Sequence, residues 1–212
     1  MVRRLLTTAS ILALTLAAPV AAQDRNASEV IQTLVGNQAT VDQTGSTNRS
    51  EIDQDGRPVS DDNIANEATV LQAGTGGYSD INQIGDNSAT VRQFRASEGA
   101  NSVVTQTGAN NNAIIRQRGV DAGQGSLTGS FVQQTGFIGT VRVDQVDTDG
   151  AKSDIQQGGI NQRAQAWQQS GAADSLIVQG VLGNNEAEVY QDGSSFSEIR
   201  QSGSGNTAGV RQ

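Results

Sequence analysis

Gln106-Thr107-Gly108-Ala109-Asn110-Asn111-Asn112-Ala113-Ile114-Ile115-Arg116-Gln117 decides the fold of this chain. Two glutamines bracket a glycine, and Asn111, Ala113, Ile115 and Gln117 then fall on every second residue. Side chains of a β-strand alternate between faces with period two, so these four share one side. A helix would need apolar residues three to four apart and would not carry glycine as regular punctuation.

Outward from this stretch, the same glutamine recurs as Gln32, Gln43, Gln54, Gln72, Gln83, Gln93, Gln106, Gln117, Gln134, Gln145, Gln157, Gln169, Gln179, Gln191, Gln201 and Gln212. Thirteen of the fifteen gaps are 10 to 13 residues, and the other two are 18 and 17. Self-similarity at so steady a period marks an array of stacked units. Two residues before each glutamine stands an aliphatic side chain: Val30, Val41, Ile52, Val70, Ile81, Val91, Val104, Ile115, Val132, Val143, Ile155, Ile177, Val189, Ile199 and Val210. Trp167 breaks the series before Gln169, and Ala164, Ala166 and Gln168 fit a register shifted by one residue there.

Four residues before the glutamine, the odd units carry serine (Ser28, Ser50, Ser79, Ser102, Ser130, Ser153, Ser175, Ser197), whereas most even units carry alanine. The true repeat is therefore a pair of units, about 22 residues, present eight times. Six residues before, asparagine occupies half the units, as at Asn48, Asn87 and Asn111. The odd-offset residues, such as Gln38, Thr40 and Asp42, are mostly polar and read as the solvent side.

The expected fold is all-β: a parallel β-solenoid of about eight strand-turn-strand rungs, sixteen short strands in all, with uncapped ends and amyloid-forming character. At the interstrand spacing of a β-sheet, eight rungs make a column of about 38 Å. Stacking places Gln over Gln, so that each amide donates to one neighbour and accepts from the other. Ends that present bare ladders pair with further copies, head to tail.

Residues 1–22 read as a secretory leader: Arg3 and Arg4, an apolar stretch from Leu5 to Leu16, then the small-residue signature Val20-Ala21-Ala22. The apolar run is shorter than the roughly 20 residues that span a bilayer. Residues 23–212 form the repeat array, with insertions near 55–64 and 118–129 whose Pro and Gly residues suit loops between strands.

Loss of Arg3 and Arg4 with the leader takes the formal charge from −8 to −10, which argues against nucleic-acid binding by electrostatics. With no Cys, no disulfide staples the fold, and with neither His nor Cys the commonest nucleophile–base pairs are missing. No cofactor, metal or catalytic residue is expected. Asp53/Asp55 and Asp147/Asp149 lack the loop of a calcium site. An ice-binding threonine array fails at Ile114, Arg142 and Glu188. Glu29, Glu51 and Asp80, each three residues before a glutamine, are candidate gatekeepers: stacked carboxylates that repel and delay assembly, so that growth should be faster near pH 4 than pH 8.

These units resemble the curlin repeats of bacterial curli fibres, with their spaced Ser, Gln, Gly, Asn, Ala and Gln. The resemblance is explicit at 48–56, at Gly85-Asp86-Asn87-Ser88-Ala89-Thr90-Val91-Arg92-Gln93 and at 106–117, and it extends over about residues 26 to 212. It implies a secreted structural subunit, passed through the periplasm and an outer-membrane secretion pore. Such a subunit self-assembles at the cell surface into amyloid fibres, the curli fimbriae of the biofilm matrix, and supports cell adhesion. The resemblance also implies a partner nucleator subunit. Building, nucleating and accessory subunits remain open, as does a soluble β-solenoid adhesin that never polymerises.

Overall fold

The computed structural model describes residues 26–33, 36–56, 66–94, 99–119 and 129–212. The leader expected at 1–22 lies outside the described residues, as do segments 57–65 and 120–128 within the two insertions. The described chain contains fourteen strands and no helix: β1 (Ala27–Thr33), β2 (Gln38–Ser46), β3 (Arg49–Asp55), β4 (Glu67–Thr75), β5 (Tyr78–Phe94), β6 (Asn101–Arg118), β7 (Gly129–Phe137), β8 (Thr140–Val146), β9 (Lys152–Ile160), β10 (Arg163–Gln169), β11 (Asp174–Gln179), β12 (Glu186–Asp192), β13 (Phe196–Gln201) and β14 (Thr207–Arg211).

Every strand pair is parallel, and the pairs assemble into two facing layers. One layer runs β1, β3, the first half of β5, the first half of β6, β7, β9, β11 and β13. The other runs β2, β4, the second halves of β5 and β6, β8, β10, β12 and β14. The register is set by the repeat itself, Ser over Ser, aliphatic over aliphatic and Gln over Gln, because a slip of one residue would turn every inward side chain out to solvent.

Sixteen short strands were expected and fourteen are found, since β5 and β6 each carry two units without interruption. Their pairing continues through the corner where Gly85 lies opposite Gly108. Gly85 has φ of +107°, and a Cβ there would stand 1.9 Å from the Gly108 carbonyl oxygen. Only glycine combines that conformation with so close an approach. One register shift follows, between Asp86 and Asn87, where β6 holds the additional residue Asn110 at φ +57°.

Between the layers lies a narrow apolar seam. Val70, Ile81, Val91, Val104, Ile115, Val143, Ile155, Ile177 and Val189 are all fully buried there. Burial at this level stabilises by about 1.5–3 kcal/mol per side chain relative to exposure. Ala68, Ala89, Ala113, Ala164 and Ala187 complete the same cluster from the second layer.

Around Trp167 the reading of Gln169 as a ladder residue is corrected. Ala164, Ala166 and Gln168 point inward, in register with Val141, Val143 and Gln145 of β8 and with Ala187, Val189 and Gln191 of β12. Gln169 is exposed. An indole at the inward position would have to fit between Val143 and Val189, one strand spacing away on either side. The shifted register instead places two alanines in the seam and lays Trp167 on the outer face, with the Arg142 guanidinium 5.9 Å from its ring.

Candidate functional site

Two continuous chains of amides run along the layers. In the first, Gln32 donates to Gln54, Gln54 to Gln83, Gln83 to Gln106, Gln106 to Gln134, Gln134 to Gln157, Gln157 to Gln179 and Gln179 to Gln201, at 2.7–3.0 Å. In the second, Gln43 donates to Gln72, and the chain continues through Gln93, Gln117, Gln145 and Gln168 to Gln191, at 2.7–3.2 Å. Gln212 accepts from Ser197 Oγ at 3.1 Å.

Each Nε2 has a second hydrogen, and in every glutamine of the two chains except Gln32 it crosses between layers. Gln54 donates to Gln38 O, Gln83 to Glu67 O, Gln106 to Ser88 O and Gln179 to Arg163 O. From the opposite layer, Gln93 donates to Tyr78 O, Gln117 to Asn101 O and Gln168 to Lys152 O. A primary amide buried in an apolar seam is costly unless both hydrogens and its oxygen are engaged. This geometry engages all three, and it ties the layers together as well as the strands. Serines of the first layer add to it: Ser102 and Ser130 donate to Gln117 and Gln145 at 2.8 and 3.2 Å. Spacing along the sequence predicted stacking of the glutamines; the cross-layer bond depends on which strand ends lie opposite and carries no signal in the repeat.

Asparagines do a different job at the corners. Asn48 Oδ1 accepts from the Gly77 backbone N–H at 2.9 Å, and Asn48 Nδ2 donates to the Thr44 and Gly74 carbonyls. Asn87 and Asn111 repeat the pattern, with Asn111 Oδ1 accepting from Gly139 N–H at 3.0 Å. Groups the turns would leave unpaired are thereby satisfied.

On the outer face of the first layer Glu29, Glu51 and Asp80 lie side by side in register. Arg49 is ion-paired with Glu51, and Tyr78 Oη donates to Glu51 at 2.9 Å. The Arg49 guanidinium, then the Tyr78 hydroxyl, holds the Glu51 carboxyl below the usual range. Asp80 is pushed up by burial and then by the Glu51 charge, and burial alone pushes up Asp86. Tyr78, half-buried and bonded to Glu51, is pushed up to about 12 by desolvation and then by that hydrogen bond.

The outermost strands differ from the rest. Among the described residues β1, β2, β13 and β14 each have a strand partner on one side only. The inward residues of β1, β2 and β14 are half-open to solvent at Val30, Gln32, Val41, Gln43, Ala208 and Val210, whereas Ser197, Ile199 and Gln201 of β13 and the equivalent positions between the ends are closed. Among the described residues no three acidic side chains converge to hold a metal ion.

The sequence model of the curlin associated repeat matches residues 24–56, a segment that takes in β1, β2 and β3. No curated protein and no solved structure matches the chain.

Proposed function

We propose, from the curlin associated repeat matched over residues 24–56 and the repeat pattern that continues beyond it, that this chain is a secreted structural subunit of curli-like amyloid fibres. It is a parallel β-solenoid of eight two-strand rungs that adds head to tail, with the ladder of one copy continuing the ladder of the next. The leader at 1–22 routes it to the periplasm, and the fibre forms outside the cell, where it contributes to biofilm matrix and adhesion. The role is structural, not enzymatic.

One observation carries this reading: the half-open ladders of β1, β2 and β14, together with the unpaired strand edge that β13 presents beside β14. The inward pattern of β13, Ser197, Ile199 and Gln201, is that of β1, Ser28, Val30 and Gln32. An incoming copy would bury Val30 and Val41 against Ile199 and Val210 and would supply the missing strand on each edge. Unpaired strand edges of this kind template further pairing unless they are blocked.

The test is release of the mature chain from denaturant at neutral pH, followed by thioflavin-T fluorescence and fibre diffraction. A lag, then growth, with reflections near 4.7 Å and 10 Å, is the expected result. A stable β-rich monomer that never grows would overturn the fibre reading in favour of a soluble adhesin.

A further inference from the structure

One residue before each glutamine of the second layer, the outward side chains form a column in which Leu71, Arg92, Arg116 and Asp144 are consecutive. Arg92 and Arg116 are directly paired, so two arginine side chains leave the same face from neighbouring strands about 4.8 Å apart. Like charges directly opposite each other destabilise a sheet. Asp144 relieves part of this: it accepts from Arg142 Nε at 2.5 Å and lies 4.0 Å from Arg116 Nη1. Among the described residues Arg92 has no ion-pair partner, and its Nε is buried without a hydrogen-bond acceptor. An acidic protein thus presents two adjacent cations of which Arg116 shares Asp144 with Arg142 and Arg92 has no carboxylate among the described residues.

The other outer face has the reverse pattern. Glu29, Glu51 and Asp80 form a carboxylate ladder over three consecutive strands, with Asp53 beside it and Arg49 engaged by Glu51. Both ladders step by one strand, so their charges repeat at the same interval. A carboxylate ladder from a second copy meets the Arg92–Arg116 ladder in phase, strand by strand.

We propose that these faces are a lateral interface between copies of this chain: the Glu29–Glu51–Asp80 ladder of one copy docks on the Arg92–Arg116 ladder of another. The contact is heterologous and does not close on itself, so repetition joins filaments side by side into bundles. It goes beyond head-to-tail growth and uses surfaces that such growth leaves exposed. A flexible polyanion would also be attracted to Arg92 and Arg116. The observations favour a second copy, because every copy carries a rigid carboxylate face whose charges step at the strand interval.

The test uses two charge-reversed variants of the mature chain, Arg92→Glu/Arg116→Glu and Glu29→Lys/Asp80→Lys. Bundling is read by low-speed pelleting and negative-stain microscopy, with thioflavin growth curves followed separately. Each variant alone should grow but lose bundling, and an equal mixture should regain it, since each then supplies the face the other lacks. Wild-type bundles should separate at about 1 M salt, where screening acts within about 3 Å. Failure of the mixture to bundle would overturn the proposal. So would bundling unaffected by Arg92→Glu/Arg116→Glu while retention of soluble alginate is lost, which would make the ladder a polyanion site. If no filaments form at all, head-to-tail assembly fails separately, and sedimentation velocity on the mixed soluble variants decides the matter: association only in the mixture supports the interface, and none overturns it.

Discussion

Gln83 Nε2 donates to Gln106 Oε1 at 2.8 Å and, from the same amide, to Glu67 O at 3.2 Å in the facing layer. One side chain therefore joins two rungs and two layers. Glutamine suits the position because it combines two donors on one nitrogen with an acceptor oxygen, on a stem long enough to reach across the seam.

Replacing Gln106 by Glu tests that arrangement. The substitution removes both donors, to Gln134 Oε1 and Ser88 O, and sets a carboxylate against two acceptors in a buried seam. A loss of about 3 kcal/mol or more is expected at neutral pH, and it should shrink as the carboxyl protonates in acid. Urea denaturation of the variant at neutral and acid pH measures both effects.

Gln168→Ala and Gln169→Ala distinguish the two possible registers at Trp167. Gln168 accepts from Gln145 and Ser153 and donates to Lys152 O and Ala173 O, so its removal strands several buried groups. It should cost about 2–4 kcal/mol. Gln169 is exposed, and its substitution should stay within about 0.5 kcal/mol. The opposite order in a denaturant titration would restore the unshifted register.

Gly85→Ala should be far more damaging than Gly193→Ala. Both glycines have positive φ, +107° and +95°, but a Cβ at 85 meets the Gly108 carbonyl oxygen whereas one at 193 meets nothing within 4 Å. Gly193→Ala isolates the backbone cost, about 1–2 kcal/mol. Gly85→Ala adds the steric overlap and should also slow thioflavin-monitored growth, because the corner must open to relieve it.

The acidic face should give growth and stability an optimum in mild acid. Asp80 and Asp86 have raised carboxyls, so the folded form is penalised when they are ionised; the penalty is relieved as pH falls through their folded values, above the ordinary 3.8. Glu51 is lowered, so its contribution is present above the ordinary 4.5 and is lost as pH falls through its folded value, below 4.5. Acidification from pH 8 toward the ordinary Glu range should therefore shorten the lag, and further acidification should forfeit the Arg49–Glu51 pair. Asp80→Asn should flatten the upper limb of a lag-time profile, and a profile identical to wild type would remove Asp80 from any gating role.

Period two in the spacing of Asn, Ser or Ala, aliphatic residue and Gln was enough to make strand, inward face and stacking register legible, because a β-strand converts parity of position directly into side. The 22-residue pair was enough to predict two strands per turn of the array. Where parity broke, at Trp167, the sequence offered two registers and no local reason to choose; the width of the seam between Val143 and Val189 decided it. The continuity of β5 and β6 through the Gly85–Gly108 corner was equally hidden, since a glycine reads as punctuation until its neighbour across the sheet is known.

Which residues face inward was thus determined by the sequence alone, through a rule that acts within one strand. Which groups meet across strands and layers was decided by the tertiary structure: the Gln amide on an opposing carbonyl, Arg92 in register with Arg116, and Glu51 beside Asp80. Those contacts join residues 15 to 29 positions apart, and their charges and hydrogen bonds depend on distances that only the packed array establishes.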